Sequence, residues 1–187
     1  MSSKSTKALV QFSRLALPSD MINIVFIIFL LVLTLFFYKR VDNPPLLIAL
    51  YIGMLATAVL LIWFIRSERR PILYFVRRWY PVAFVLLAFF SLRSIVHYVL
   101  PYDVDEPLSR IDFALFGVHP TVFLSLYMNP YVVDMLEICY ASFYFLPVIL
   151  GLFLYFEKRN TEFEKYASIM CLGFFLSYIG NILFPAR

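Results

Sequence analysis

Apolar residues run in long blocks along this chain rather than alternating with polar ones. Residues 21–38 (MINIVFIIFLLVLTLFFY) and 46–65 (LLIALYIGMLATAVLLIWFI) carry no charge, and 166–184 form a third uncharged block. Two further blocks hold ionisable groups in apolar surroundings: 81–101 contains Arg93 and His97, and 131–156 contains Asp134, Glu137 and Pro147. Each block is close to the roughly 20 residues that an α-helix needs to cross a bilayer core. The pattern predicts an all-α, polytopic membrane protein with five transmembrane helices. The first block is too long for a signal-peptide core and lacks a small-residue cleavage site, so it reads as a retained anchor. Residues 1–20 read as a cytoplasmic segment ahead of a transmembrane domain over 21–187.

Between the third and fourth blocks, residues 107–128 (PLSRIDFALFGVHPTVFLSLYM) are apolar but interrupted. Pro120 stops a continuous helix, and Ser109 followed by Asp112 has the form of a capping box. This stretch predicts two short amphipathic helices lying in the outer interface rather than a sixth span, with His119 as a helix-start residue.

Composition narrows the class. Of 187 residues, 63% are hydrophobic and only 15% charged, against about 45–50% and about 25% in soluble domains. A soluble globule, a disordered chain and a disulfide-stapled module are excluded. The net charge of +4 does not point to nucleic acid, because the Lys and Arg residues sit between apolar blocks, where topology and anionic lipid account for them. The stretch 66–80 (RSERRPILYFVRRWY) reads as such a positive-inside determinant resting on headgroups. With the N-terminus inside, eleven Lys and Arg residues fall on the inner side and four on the outer side, which predicts N-in, C-out. In a bacterium this is an integral protein of the cytoplasmic membrane. Cys139 and Cys171 both lie within apolar blocks and read as buried small hydrophobes.

An ionisable group inside a span is costly and often functional. At 1.5 Å per residue, His97 lies about 6 Å and Arg93 about 12 Å below the outer end of the third block, and Glu137 about 9 Å below the outer surface. Asn181 lies close to the outer end of the fifth, with Arg187 just beyond. Arg93 and His97, four residues apart, would share one face of a continuous helix. Two readings stand side by side. Arg93, His97, Glu137 and Asn181 form an outward polar cluster for an anionic group, or they are structural: a snorkelling arginine, an Arg93–Glu137 bridge and interhelical hydrogen bonds. No Gly-rich phosphate loop, GxSxG, HExxH or CxxC occurs, so neither a metal nor a cofactor is expected.

Three runs carry a resemblance. Ile111–Pro120 (IDFALFGVHP) is similar to a "D-x-x-LFG-x-x-P" interfacial stretch, Cys139–Pro147 (CYASFYFLP) to a "CYxSYxxLP" helix, and Ile182–Arg187 (ILFPAR) to the end of a span leading into "P-x-x-GPR". Together they resemble the inositol phosphorylceramide synthase-like branch of the type 2 phosphatidic acid phosphatase superfamily, over roughly residues 75–187. The resemblance implies phosphoryl transfer through a phosphohistidine on the outer side. An arginine motif holds the phosphate, with Arg187 as the candidate, and PSGH and SRxxxHxxxD motifs supply acid and nucleophile. Neither of the last two motifs occurs in these residues, so no catalytic residue is assigned on this chain. The expectation is the scaffold half of a lipid-phosphate phosphatase or phosphotransferase, truncated or split from a separately encoded catalytic half, with membrane lipids and a lipid phosphate as partners. The alternative is a non-catalytic structural or interaction module.

The charge asymmetry fixes an orientation that labelling tests. A cysteine placed by Asp105→Cys in a cysteine-free background is expected to react with an impermeant maleimide from the outer side; reaction from the cytoplasmic side alone would reverse the topology.

Overall fold

The protein is described by a computed structural model over residues 16–65, 71–99, 104–127 and 129–185, the side chains of His97 and Tyr144 apart. Its elements are helices: α1 (Pro18–Phe36), α2 (Pro44–Phe64), α3 (Pro71–Leu92), α4 (Val96–Val99), α5 (Asp105–Phe116), α6 (Pro120–Ser125), α7 (Pro130–Phe156) and α8 (Asn160–Leu183). Five of them, α1, α2, α3, α7 and α8, are long and apolar enough to cross a membrane. The architecture is therefore the all-α polytopic bundle that the blocks predict.

Proline sets most of the starts. Pro18, Pro44, Pro120 and Pro130 stand at the first positions of their helices, where the ring's fixed φ suits the helix and the missing N–H has no partner to lose. Pro71 opens α3 in the same way. The observed helices start slightly before the apolar blocks in four cases, and α3 departs furthest. It runs over Pro71–Leu92, not 81–101, and so takes up Arg77 and Arg78 from the stretch expected to lie on headgroups. Hydropathy alone places the span later, because it cannot foresee that these two charges are neutralised by neighbours. Residues 66–70 lie outside the described residues. Residues 18–20, expected in a cytoplasmic segment, are the first turn of α1.

The end of the bundle where α1 begins is called proximal below, and the end where α1 finishes distal. The long helices other than α7 each turn a stripe of residues at intervals of three and four inward. In α1 these are Asp20, Asn23, Ile27, Leu30 and Thr34; in α2, Leu47, Tyr51, Met54, Ala58 and Ile62; in α8, Phe163, Ala167, Cys171, Phe175, Tyr178 and Ile182. α8 stands centrally, packed on α1, α3 and α7, while α2 leans on α1 and α3. Phe26 of α1 stacks on Phe175 of α8 with centroids 4.1 Å apart, and the Tyr178 hydroxyl donates to the Val85 carbonyl of α3 at 3.2 Å. On the distal side Tyr51 donates to Ser91 Oγ at 2.8 Å, which donates in turn to the Ala88 carbonyl, so buried hydroxyls from α2 and α3 satisfy one another.

The predicted pair of short helices exists as α5 and α6, which bury no residue. Gly117 ends α5 with φ +69°, the left-handed conformation that favours glycine after a helix. Ser109 lies inside α5 and does not cap it; its hydroxyl sits 3.3 Å from His119 Nδ1. His119 is the N-cap of α6, the helix-start position assigned from sequence.

α7 is held differently. It packs on α8 and meets α3 near its proximal end. A Cβ added at Gly151 would lie 2.9 Å from Trp79 Cη2, so glycine is what allows the indole to seat against α7. Gly151→Val is expected to force these helices apart at about 1–3 kcal/mol, a typical overpacking cost. Equilibrium unfolding in mixed micelles would detect the loss, and unchanged stability would show that the contact is loose.

Candidate functional site

Charge inside a span requires neutralisation, and the proximal end shows how this chain provides it. Asp20 is the third residue of α1 and is wholly buried. Its carboxylate accepts from the Leu17 backbone N–H at 2.7 Å, the reach-back that an acidic residue in a first turn makes. It also accepts from both terminal nitrogens of Arg77, NH1 at 2.8 Å, and from the Tyr80 hydroxyl. Two parallel N–H···O bonds form the bidentate fork that guanidinium and carboxylate geometry favours. Arg77, six residues into α3, is 5% exposed. Four donors on one carboxylate leave Asp20 no ready acceptor for a proton or a ligand, so the arrangement neutralises charge and fixes α1 to α3.

Asn23 lies one turn further along the same face of α1. Its Nδ2 donates to the Ser19 carbonyl at 2.9 Å and to Cys171 Sγ of α8 at 3.3 Å, whereas its Oδ1 has no protein partner. Asp20, Asn23, Arg77, Tyr80 and Cys171 thus join α1, α3 and α8 at one level. Consecutive helical positions diverge by about 100°, so Arg78 points to a different neighbour. It pairs with Glu164 of α8 at 2.5 Å, and the Tyr74 hydroxyl accepts from Arg78 Nε at 3.1 Å and from NH2 at 2.6 Å.

The distal end is the opposite case. Arg93 is the first residue after α3, in the turn before α4. The helix therefore breaks between Arg93 and His97, so the continuous helix on which they were expected to share a face is interrupted; the His97 side chain lies outside the described residues. Arg93, Glu137 and Asn181 are all exposed. Among the described residues the ion pairs are Arg77–Asp20, Arg78–Glu164, Arg110–Glu106 and Arg159–Glu162. The Arg93–Glu137 bridge is not among them. Arg187 lies outside the described residues. Cys139 is exposed and Cys171 buried, both free thiols, so the expectation of burial holds for one of the two. No three His, Cys, Asp or Glu side chains come together as a metal-ligand set among the described residues.

Sequence reasoning weighed the distal residues and overlooked the proximal ones. Its signals were present: an acid directly after Pro18-Ser19, an asparagine three residues later in an apolar run, and an arginine, Arg77, just ahead of the third apolar block. Compared with known proteins, the chain matches no family model, no curated protein and no solved structure.

Truncating one partner of a buried pair leaves the other charge uncompensated, at about 3–5 kcal/mol. Asp20→Leu and Arg77→Met are each expected to destabilise by that amount. The double variant should lose clearly less than their sum. Additive losses in a double-mutant cycle would show that the two side chains act independently.

Proposed function

We propose that these residues form the membrane scaffold of a lipid-phosphate phosphatase or phosphotransferase of the kind that the sequence resembles. The distal end faces outward, and the phosphohistidine motifs lie outside residues 1–187. The observation that carries this reading is the contrast between the two ends. Arg77 and Arg78 are consumed by internal pairs, while Arg93 stands exposed beside the distal end of the bundle and has no ion pair among the described residues. A guanidinium is permanently charged, and its planar fork matches phosphate. Glu137 and Asn181 are exposed toward the same end and supply a counter-charge and an amide for a polar headgroup. Support also comes from three positions that the resemblance uses: α5 and α6 cover the "D-x-x-LFG-x-x-P" stretch, Pro147 lies within α7, and Pro185 follows α8. Arg187 takes the place of the arginine that opens the phosphate motif.

The internally satisfied Asp20–Arg77–Tyr80 cluster favours a second reading, a non-catalytic structural module, because it spends the bundle's most buried charges on helix packing. The two readings part at Arg93. On the first, the purified chain binds short-chain phosphatidate and releases no phosphate from it, and Arg93→Gln weakens binding roughly tenfold, the loss of one charge-assisted hydrogen bond to phosphate. Binding that is absent, or unchanged in Arg93→Gln, supports the structural module. Turnover that disappears in His97→Ala would overturn both and make His97 the nucleophile.

A further inference from the structure

In the orientation that the charge asymmetry predicts, topology accounts for cations at the proximal end and gives no reason for those at the distal end. Three of these lie on two neighbouring turns. Lys39 and Arg40 belong to the turn that joins α1 to α2, and Arg93 to the turn between α3 and α4; all three are exposed.

Two hydrogen bonds tie these turns together on either side of Arg93. The Tyr51 hydroxyl of α2 donates to Ser91 Oγ at 2.8 Å, and the Asp42 backbone N–H donates to the Ser94 carbonyl at 3.4 Å. The N–H groups of Arg40 and Val41 both reach back to the Phe37 carbonyl, at 2.8 and 3.1 Å, and so curl the α1–α2 turn. Val41 is 6% exposed and belongs to the same apolar cluster as Leu92, Ile95 and Val96. One buried side chain thus anchors the turn, while the two residues before it stay at the surface.

The charge on these turns is unbalanced. Their one carboxylate, Asp42, accepts from Asn43 Nδ2 at 3.1 Å and takes part in no ion pair among the described residues. The side chains of Lys39, Arg40 and Arg93 likewise have neither an ion pair nor a hydrogen bond among those residues. A purely structural role would be to offset the carbonyl dipoles where α1 and α3 end. Cations in that role reach back to the last carbonyls of the helix, which these do not.

We propose that Lys39 and Arg40 complete a phosphate site with Arg93, in which a phosphomonoester, from a lipid headgroup or free in solution, bridges the α1–α2 and α3–α4 turns. Such a group carries a charge of about −1.5 to −2 at neutral pH and three acceptor oxygens, more than a single guanidinium neutralises. Two planar forks and an ammonium from two turns can share those oxygens. The ligand class rests on the reading proposed above; the juxtaposition of the turns does not.

Phenylglyoxal modification of the purified chain in detergent, mapped by mass spectrometry, tests the site. Dioctanoyl phosphatidate is expected to protect Arg40 and Arg93 together, several-fold, and to leave Arg110, exposed and paired with Glu106, unprotected. Lys39→Gln and Arg40→Gln should each weaken phosphatidate binding roughly tenfold, with stability unchanged, whereas Arg110→Gln should not affect binding. An arm with inorganic phosphate at the same concentration identifies the source: protection by phosphatidate alone marks a lipid headgroup, and equal protection marks free phosphate. Protection of Arg93 without Arg40, or a loss of stability in Lys39→Gln and Arg40→Gln with binding unchanged, would overturn this inference and leave the reading above intact. Protection of both arginines by inorganic phosphate alone would keep the site and overturn that reading. Protection of neither arginine by either compound would overturn both.

Discussion

The bundle depends on one constraint: an arginine carried into a buried position by a span must find its counter-charge there. Asp20 supplies it from the first turn of α1. Because Arg77 lies six residues into α3, the pair fixes the height of α3 against α1 as well as their contact. Tyr80 repeats the tie one turn on, and Asn23 extends it to Cys171 of α8. In hydrocarbon, helix association draws on packing and interhelical hydrogen bonds rather than on burial from water. A cluster of this kind therefore selects which helices are neighbours, and the stacked rings of Phe26 and Phe175 follow the register it sets.

The two ends of the molecule treat charge differently. Proximally, Arg77 and Arg78 turn to two neighbours and each finds a carboxylate. Distally, Arg93 and Glu137 remain exposed, and α5 and α6 bury nothing. A backbone bond from the Val104 N–H to the Pro185 carbonyl, 3.1 Å long, joins the start of this distal segment to the chain just beyond α8. The proximal end is a closed structural unit; the distal end leaves its polar groups exposed.

Much of the architecture was legible in sequence. Block length and Pro120 lead directly to five spans and two short helices, because those features act locally. The position of α3 was not, since hydropathy treats Arg77 and Arg78 as costs wherever they occur. Their neutralisation depends on Asp20 and Glu164, 57 and 86 residues away in sequence. Asp20 escaped notice for the same reason: an acid beside the first apolar block looks like a flank until its partner is known. For Arg93 and Glu137 the depth arithmetic gave comparable levels, but Arg93 falls in the turn after α3 and both side chains stay exposed, which periodicity does not reveal.

The central place of α8 bears on how the protein is made. It is the last of the described helices to leave the ribosome, yet α1, α3 and α7 all pack on it. Until it arrives, Asn23 lacks Cys171, Phe26 lacks Phe175, and α7 lacks the helix on which it lies. Asp20 and Arg77, by contrast, are both present once α3 has been synthesised. Assembly can thus begin with an early ion-paired trio, α1 to α3, which the hairpin of α7 and α8 joins later. During that interval the side of the trio that α8 will cover stays open.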